Sequence, residues 1–199
     1  MKKLQQLFLV LVVIAASWQI TSAAYIHVKA FVAQKLLLDA WNKTLDGGKK
    51  VKPWSWADTW PVARLQVPAH EQDLIILAGD SGRNLAFAPG YRFGTAKPGA
   101  QGISMISAHR DTHFKFLKNV QVGDEIKIIT EKKEFVTYGI TKIKIVNQKQ
   151  GKIELEQTDK RLVLVTCYPF DDVFENTDLR YLVFAKQIKT NQLRDNLGV

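Results

Sequence analysis

The run Glu134–Gln148 carries the strictest constraint in this 199-residue chain. Its first half sets apolar residues at even positions (Val136, Tyr138, Ile140), and its second half sets them at odd ones (Ile143, Ile145). Strand side chains alternate strictly between two faces, so a single strand can keep one apolar face only if a bulge or bend near Thr141 absorbs a residue. Bends of this kind are expected where a sheet curls into a barrel. The surrounding sequence fits the same architecture. Ala63–Val67, Leu74–Ala78, Ile103–Ala108 and Glu125–Thr130 read as short strands, with Gly79-Asp80-Ser81-Gly82 a strong turn. Asn84–Tyr91 reads as a short helix or loop closed by Pro89-Gly90, and Thr112–Asn119 as one or two helical turns with Phe114 and Leu117 on a shared face. Arg161–Tyr168 (RLVLVTCY) is continuously apolar, as in a strand covered on both faces, and Leu179–Ile188 closes the sheet. The body is therefore expected to be mainly β, a closed barrel of seven or eight strands with one or two short helices.

The N-terminus is different in kind. Lys2 and Lys3 precede the unbroken apolar run Leu7–Ala16, which weakens toward Ala24. Counted over 7–24 the segment would be about 27 Å long as a helix, enough for a marginal membrane span. The small residues at 22–24 also suit a cleavable signal peptide. Apolar residues continue at Phe31, Leu36, Leu37 and Leu38 with helical spacing, which favours an uncleaved transmembrane anchor. The expected organisation is a cytoplasmic N-terminus over 1–6, an anchor (or signal peptide) over 7–24, a helical stalk and linker over 25–52, and the β-barrel domain over 53–199. Gly47, Gly48 and Pro53 mark the linker.

The net charge of +9 points toward anionic partners. Its lysines are dispersed, and no zinc-finger, RNA-binding or basic-helix pattern accompanies them, so a solvated basic surface facing an anionic envelope is expected and nucleic acid is not. Asp171, Asp172, Glu175 and Asp178 form an acidic loop that reads as solvated, although a cation such as calcium is a competing reading. Trp54, Trp56 and Trp60 read as a plug against the barrel or an anchor near a membrane interface, ahead of a substrate groove.

Three polar residues sit at strand ends, where a rigid support can project a side chain into a cleft. They are His109 after ISMISA, Cys167 after LVLVT, and Arg180 at the start of the last strand. Cys167 is the single cysteine, so no intramolecular disulfide exists. A cysteine nucleophile needs a partner that takes its proton, and histidine titrates in the right range. Arginine stays charged at any working pH and can hold a carbonyl or a developing oxyanion. His113 is an alternative base, with a supporting role the plainer reading. Asp111 is either an orienting carboxylate or a turn residue, and Arg110 reads as a surface or loop salt-bridge residue.

The strings SAHRDTHF around His109, LVTCYPFD around Cys167 and NTDLRYLVFAK around Arg180 resemble the signature segments of the sortase family, in order and spacing. The likeness extends to residues 53–65 and 85–102, and it is nearest to the proteobacterial branch of single-pass proteins. The resemblance implies an eight-stranded β-barrel and a transpeptidase that cuts an LPxTG-like sorting signal on exported proteins. It implies an acyl group held as a thioester and passed to an amine in the envelope, with no cofactor or catalytic metal. Cys167 would be the nucleophile, His109 the general acid/base and Arg180 the residue that orients substrate and stabilises the oxyanion. Thr166 matches the family, whereas Val163 stands where a threonine is usual, which puts substrate detail rather than chemistry at issue. The expected location is the cytoplasmic membrane with the catalytic domain on its outer side. An exported cysteine endopeptidase using water, and a non-catalytic envelope-binding β-domain, are the competing functions.

Overall fold

The computed structural model describes residues 2–149, 159–171 and 177–188. It divides into two compact units, Met1–Leu36 and Leu37–Val199. Helix α1, Lys2–Leu45, supplies the first unit and the opening turns of the second. The helix stops where Gly47 takes φ 97°, a left-handed conformation that costs glycine little. Gly48 follows because a Cβ there would stand 2.7 Å from the Lys43 carbonyl oxygen. In α1 the apolar side chains Leu7 to Ile14 are exposed all round the helix. The transmembrane character expected for this segment is not supported: among the described residues, no helix is long and apolar enough to cross a membrane. Ser17 and Thr21 follow the apolar run, each donating its hydroxyl to the carbonyl four residues back.

The second unit is a closed barrel of eight strands: β1 (Pro61–Val67), β2 (Gln72–Ala78), β3 (Gly90–Tyr91), β4 (Ile103–Ser107), β5 (Glu125–Thr130), β6 (Phe135–Asn147), β7 (Arg161–Cys167) and β8 (Leu179–Gln187). Their order around the barrel is β1-β2-β3-β4-β7-β8-β6-β5, closing back on β1. The pairs β2–β3 and β4–β7 are parallel and the rest antiparallel. A short helix, α2 (Gly82–Leu85), begins at Ser81, whose hydroxyl accepts from the Asn84 N–H. A 3₁₀ turn at Lys115–Asn119 lies between β4 and β5, and Phe114 and Leu117 are fully buried beside it.

The phase change in β6 is resolved where the sequence requires it. The β6–β8 register slips between Ile140 and Lys142, leaving Thr141 as the extra residue. Val136, Tyr138 and Ile140 then share the core with Ile143, whereas Ile145 remains 48% exposed as the strand leaves it. The barrel interior is filled by alternate residues, among them Leu65, Ile76, Ile106, Ile128, Leu162, Leu164 and Val183, all fully buried. Each such side chain contributes about 1.5–3 kcal/mol when removed from water. Outside the barrel, Leu37 packs with Leu77, Ala88, Trp54, Ile75 and Phe87. Trp54 lies 4.8 Å from Phe87 in edge contact and Trp60 packs on the main core, so these two act as the expected plug. Trp56 does not, being 81% exposed.

Candidate active site

Strand direction puts the C-terminal ends of β4 and β7 and the start of β8 at one rim of the barrel. In the antiparallel β7–β8 ladder, Cys167 stands directly opposite Arg180. Directly opposed side chains share a face with Cβ atoms roughly 4.5–5.5 Å apart. On the other flank, parallel pairing aligns Ser107 with Val165, and the Ala108 N–H donates to the Val165 carbonyl at 3.1 Å. Two residues further along each strand come His109 and Cys167. Three adjacent strands thus bring the sequence-predicted trio to one rim.

Thr166 fixes that alignment. It is 2% exposed and its hydroxyl donates to the Ala108 carbonyl at 2.8 Å, tying β7 to β4 one residue before the thiol and the imidazole leave the sheet. Thr166→Val removes this donor from a buried carbonyl. A loss of about 1–3 kcal/mol in unfolding free energy is expected, measurable by denaturant titration.

Cys167 is half-buried and free, and His109 is exposed. Arg180 is half-buried, and its Nη1 donates to the carbonyls of Thr177 (2.6 Å) and Leu179 (2.9 Å). These bonds pin the guanidinium through one nitrogen. Among the described residues, Nε and Nη2 have no hydrogen-bond partner, so two donor positions remain for a substrate oxygen. Val163, four residues before the cysteine, is buried and pairs with Met105 and Phe184, so it packs the strand behind the thiol.

His113 lies within electrostatic range of His109 and bonds the backbone at Phe87. Its burial, and then the charge of His109, depress its pKa from 6.5. The folded protein therefore binds this proton less readily than the unfolded chain. Stability from this group is complete above the ordinary histidine value and declines as pH falls below 6.5. Acidifying from pH 7.5 to 5.5 should lower the Tm of the wild type more than that of His113→Gln, as read by circular dichroism. Asp111 is exposed and acts on His113. Arg110, expected at the surface, is instead buried at 9% exposure. The loop closes through the Phe114 N–H on the His109 carbonyl at 3.0 Å, which turns residue 110 away from solvent.

Sequence reasoning missed the aromatic group beside the thiol. Tyr168 stacks on Tyr181 at 6.0 Å, and Phe170 meets Tyr181 edge-on at 5.0 Å. Burial, with the neighbouring Tyr168 hydroxyl, pushes the Tyr181 pKa up. The Y-P-F string after the cysteine and the tyrosine after the arginine were the available signal. Of the acidic loop, Asp172 and Glu175 lie outside the described residues. Among the described residues no cluster of His, Cys, Asp or Glu could hold a metal ion. Asp178 pairs with Lys149 at 2.7 Å.

The fold has relatives among known proteins. The sortase domain model matches residues 65–188. Sortase D of Bacillus subtilis is 32% identical over 125 residues, covering 62% of this chain and 62% of that protein. A Clostridium perfringens Sortase D5 transpeptidase is similar in structure, with TM-score 0.61 at 25% identity over 79% of this chain and 99% of the other. Sortase A from Corynebacterium diphtheriae shares the fold, with TM-score 0.60 at 22% identity over 79% and 84% of the two chains. The chain belongs to the sortase family. It spans about 62% of the length of the curated relative it matches.

Proposed function

We propose that this protein is a cysteine transpeptidase that cleaves an LPxTG-like sorting signal through a thioester on Cys167 and transfers the acyl group to an amine in the cell envelope. The observation that carries the reading is the opposition of Cys167 and Arg180 in the β7–β8 ladder, with His109 at the end of the neighbouring strand β4. In this reading the thiol proton passes to His109 and the sulfur attacks the carbonyl carbon of the scissile amide. The resulting oxyanion is met by the free donors of Arg180. His109 then protonates the departing amine, the C–N bond breaks, and an acyl thioester remains. An acceptor amine attacks the thioester, gives its proton to His109, and expels the thiolate as the new amide forms.

Envelope association belongs to the same proposal, in the manner of the single-pass branch. It is supported by the apolar side chains that α1 exposes all round between Leu7 and Ile14, which need cover from water. Fractionation of cells into membrane and soluble pools, with the intact mass of the protein, tests it.

Incubation with an LPxTG peptide, followed by intact-mass and fragment analysis, should show the acyl group on Cys167 when amine is withheld. Added amine should discharge it into a new amide. Acylation of another residue, or release without any covalent species, overturns the mechanism.

Arg180→Lys is expected to lower kcat by about 10²–10³. Lysine keeps the charge but lacks the planar fork that can hold the Thr177 and Leu179 carbonyls and a substrate oxygen together. Steady-state cleavage kinetics on the variant checks this.

A further inference from the structure

Two adjoining cavities open at the barrel end opposite Cys167, among the start of β1, the ends of β2, β3 and β5, and the residue before β7. One, of about 420 Å³, is bounded by the Gly47–Lys50 segment, Trp60, Tyr91 and Phe93. The other, of about 330 Å³, lies among Gly99, Thr130, Lys132 and Lys160. Both are bordered by Val62, Lys97 and Glu131, so they form one trough. Its size suits a small ligand or a short stretch of polymer.

The lining combines positive charge with one exposed ring, that of Phe93, while Tyr91 is buried and Trp60 is half-buried against the core. Five lysines (Lys49, Lys50, Lys97, Lys132, Lys160) stand against two glutamates, Glu131 and Glu134, an excess of three positive charges. Lys97 is paired with Glu131 at 3.0 Å. Lys50 holds its ammonium 5.0 Å from the centre of the Trp60 ring, inside the larger cavity. Among the described residues, no carboxylate lies within ion-pair distance of Lys49, Lys132 or Lys160. Phe93 is 63% exposed at the rim and is braced edge-on by Tyr91 at 5.9 Å. One edge of the ring covers Gly79, where a Cβ would stand 3.1 Å from it, and the rest of the phenyl is open beside the basic cavity.

We infer that this trough binds a polysaccharide whose sugars carry carboxylate groups. A pyranose presents a face of C–H bonds that lies against the negative face of an aromatic ring, while its carboxylates reach outward to ammonium groups. A simple anion would be held by the lysines without the rings, and an apolar ligand by the rings without the lysines. The site faces away from the thiol, so a bound glycan strand holds the protein while leaving the catalytic rim free. The inference does not depend on the transpeptidase reading, because it is tested by binding alone.

The test is isothermal titration of the full chain in mild detergent with oligogalacturonate. Neutral dextran and poly-glutamate of matched length serve as separate arms. Oligogalacturonate is expected to bind in preference to both. Lys132→Gln with Lys160→Gln, and separately Phe93→Ala, should each weaken it by about tenfold. Lys132 and Phe93 are exposed, so the variants are expected to fold, and melting curves run beside the titrations check this. Equal affinity for poly-glutamate would show attraction to charge alone and overturn the inference. Affinity unchanged in the folded variants, or no binding of oligogalacturonate, would also overturn it.

Discussion

Cys167→Ala is expected to bring cleavage of a sorting-signal peptide to background while leaving the barrel folded. The chain has one thiol, so no second sulfur can substitute. The side chain sits half-buried at the last position of β7, outside the barrel core formed by Leu162 and Leu164, so removing one sulfur opens little space. Backbone pairing with Arg180 does not involve the side chain and persists. Peptide cleavage assayed beside a thermal melt separates the two effects. Turnover near the wild-type rate would exclude a covalent role for Cys167, and a collapsed melt would mean that the residue is structural.

The second large effect is expected at histidine. His109→Ala should reduce kcat/KM by about 10²–10⁴, the usual contribution of a general acid/base, while His113→Ala should cost far less. The difference follows from placement. His109 is exposed at the end of the strand aligned with β7. His113 is half-buried in the following turn, bonded at Phe87, and its burial holds it neutral over more of the pH range. An imidazole that is half-buried and tied to a backbone group is poorly placed to carry a proton between thiol and leaving amine. Its loss would disturb the loop that presents His109, giving impairment without abolition. Equal losses at both positions, or a larger loss at 113, would reassign the base.

The barrel was legible because its strands carry period-two patterns long enough to read. The break in that pattern at Thr141 is itself structural, marking the residue left over when β6 bends along β8. The rim residues were legible for a related reason, since each ends or begins a strand whose pattern is clear. Strand β3 was read as part of a loop because two residues, Gly90 and Tyr91, cannot display a period. The burial of Arg110 and the ring contacts of Tyr168, Phe170 and Tyr181 depend on how a turn folds back, which no local pattern encodes. The apolar positions Leu36–Leu38 showed a helix with a sticky face. That Leu37 lies against Leu77 on the outside of the barrel is a tertiary choice invisible in the helix alone.

The Thr166–Ala108 bond joins residues 58 positions apart and rests on the parallel pairing of β4 with β7. Contacts of such long sequence separation must overcome a large loop-closure entropy and tend to form slowly. Hairpins such as β1–β2 and β5–β6 close over short spans and can form early. Until β7 settles between β4 and β8, the thiol has neither its imidazole nor its guanidinium beside it. In the proposed mechanism, function is therefore coupled to the completion of folding: Cys167, His109 and Arg180 stand at one rim only in a barrel that has closed.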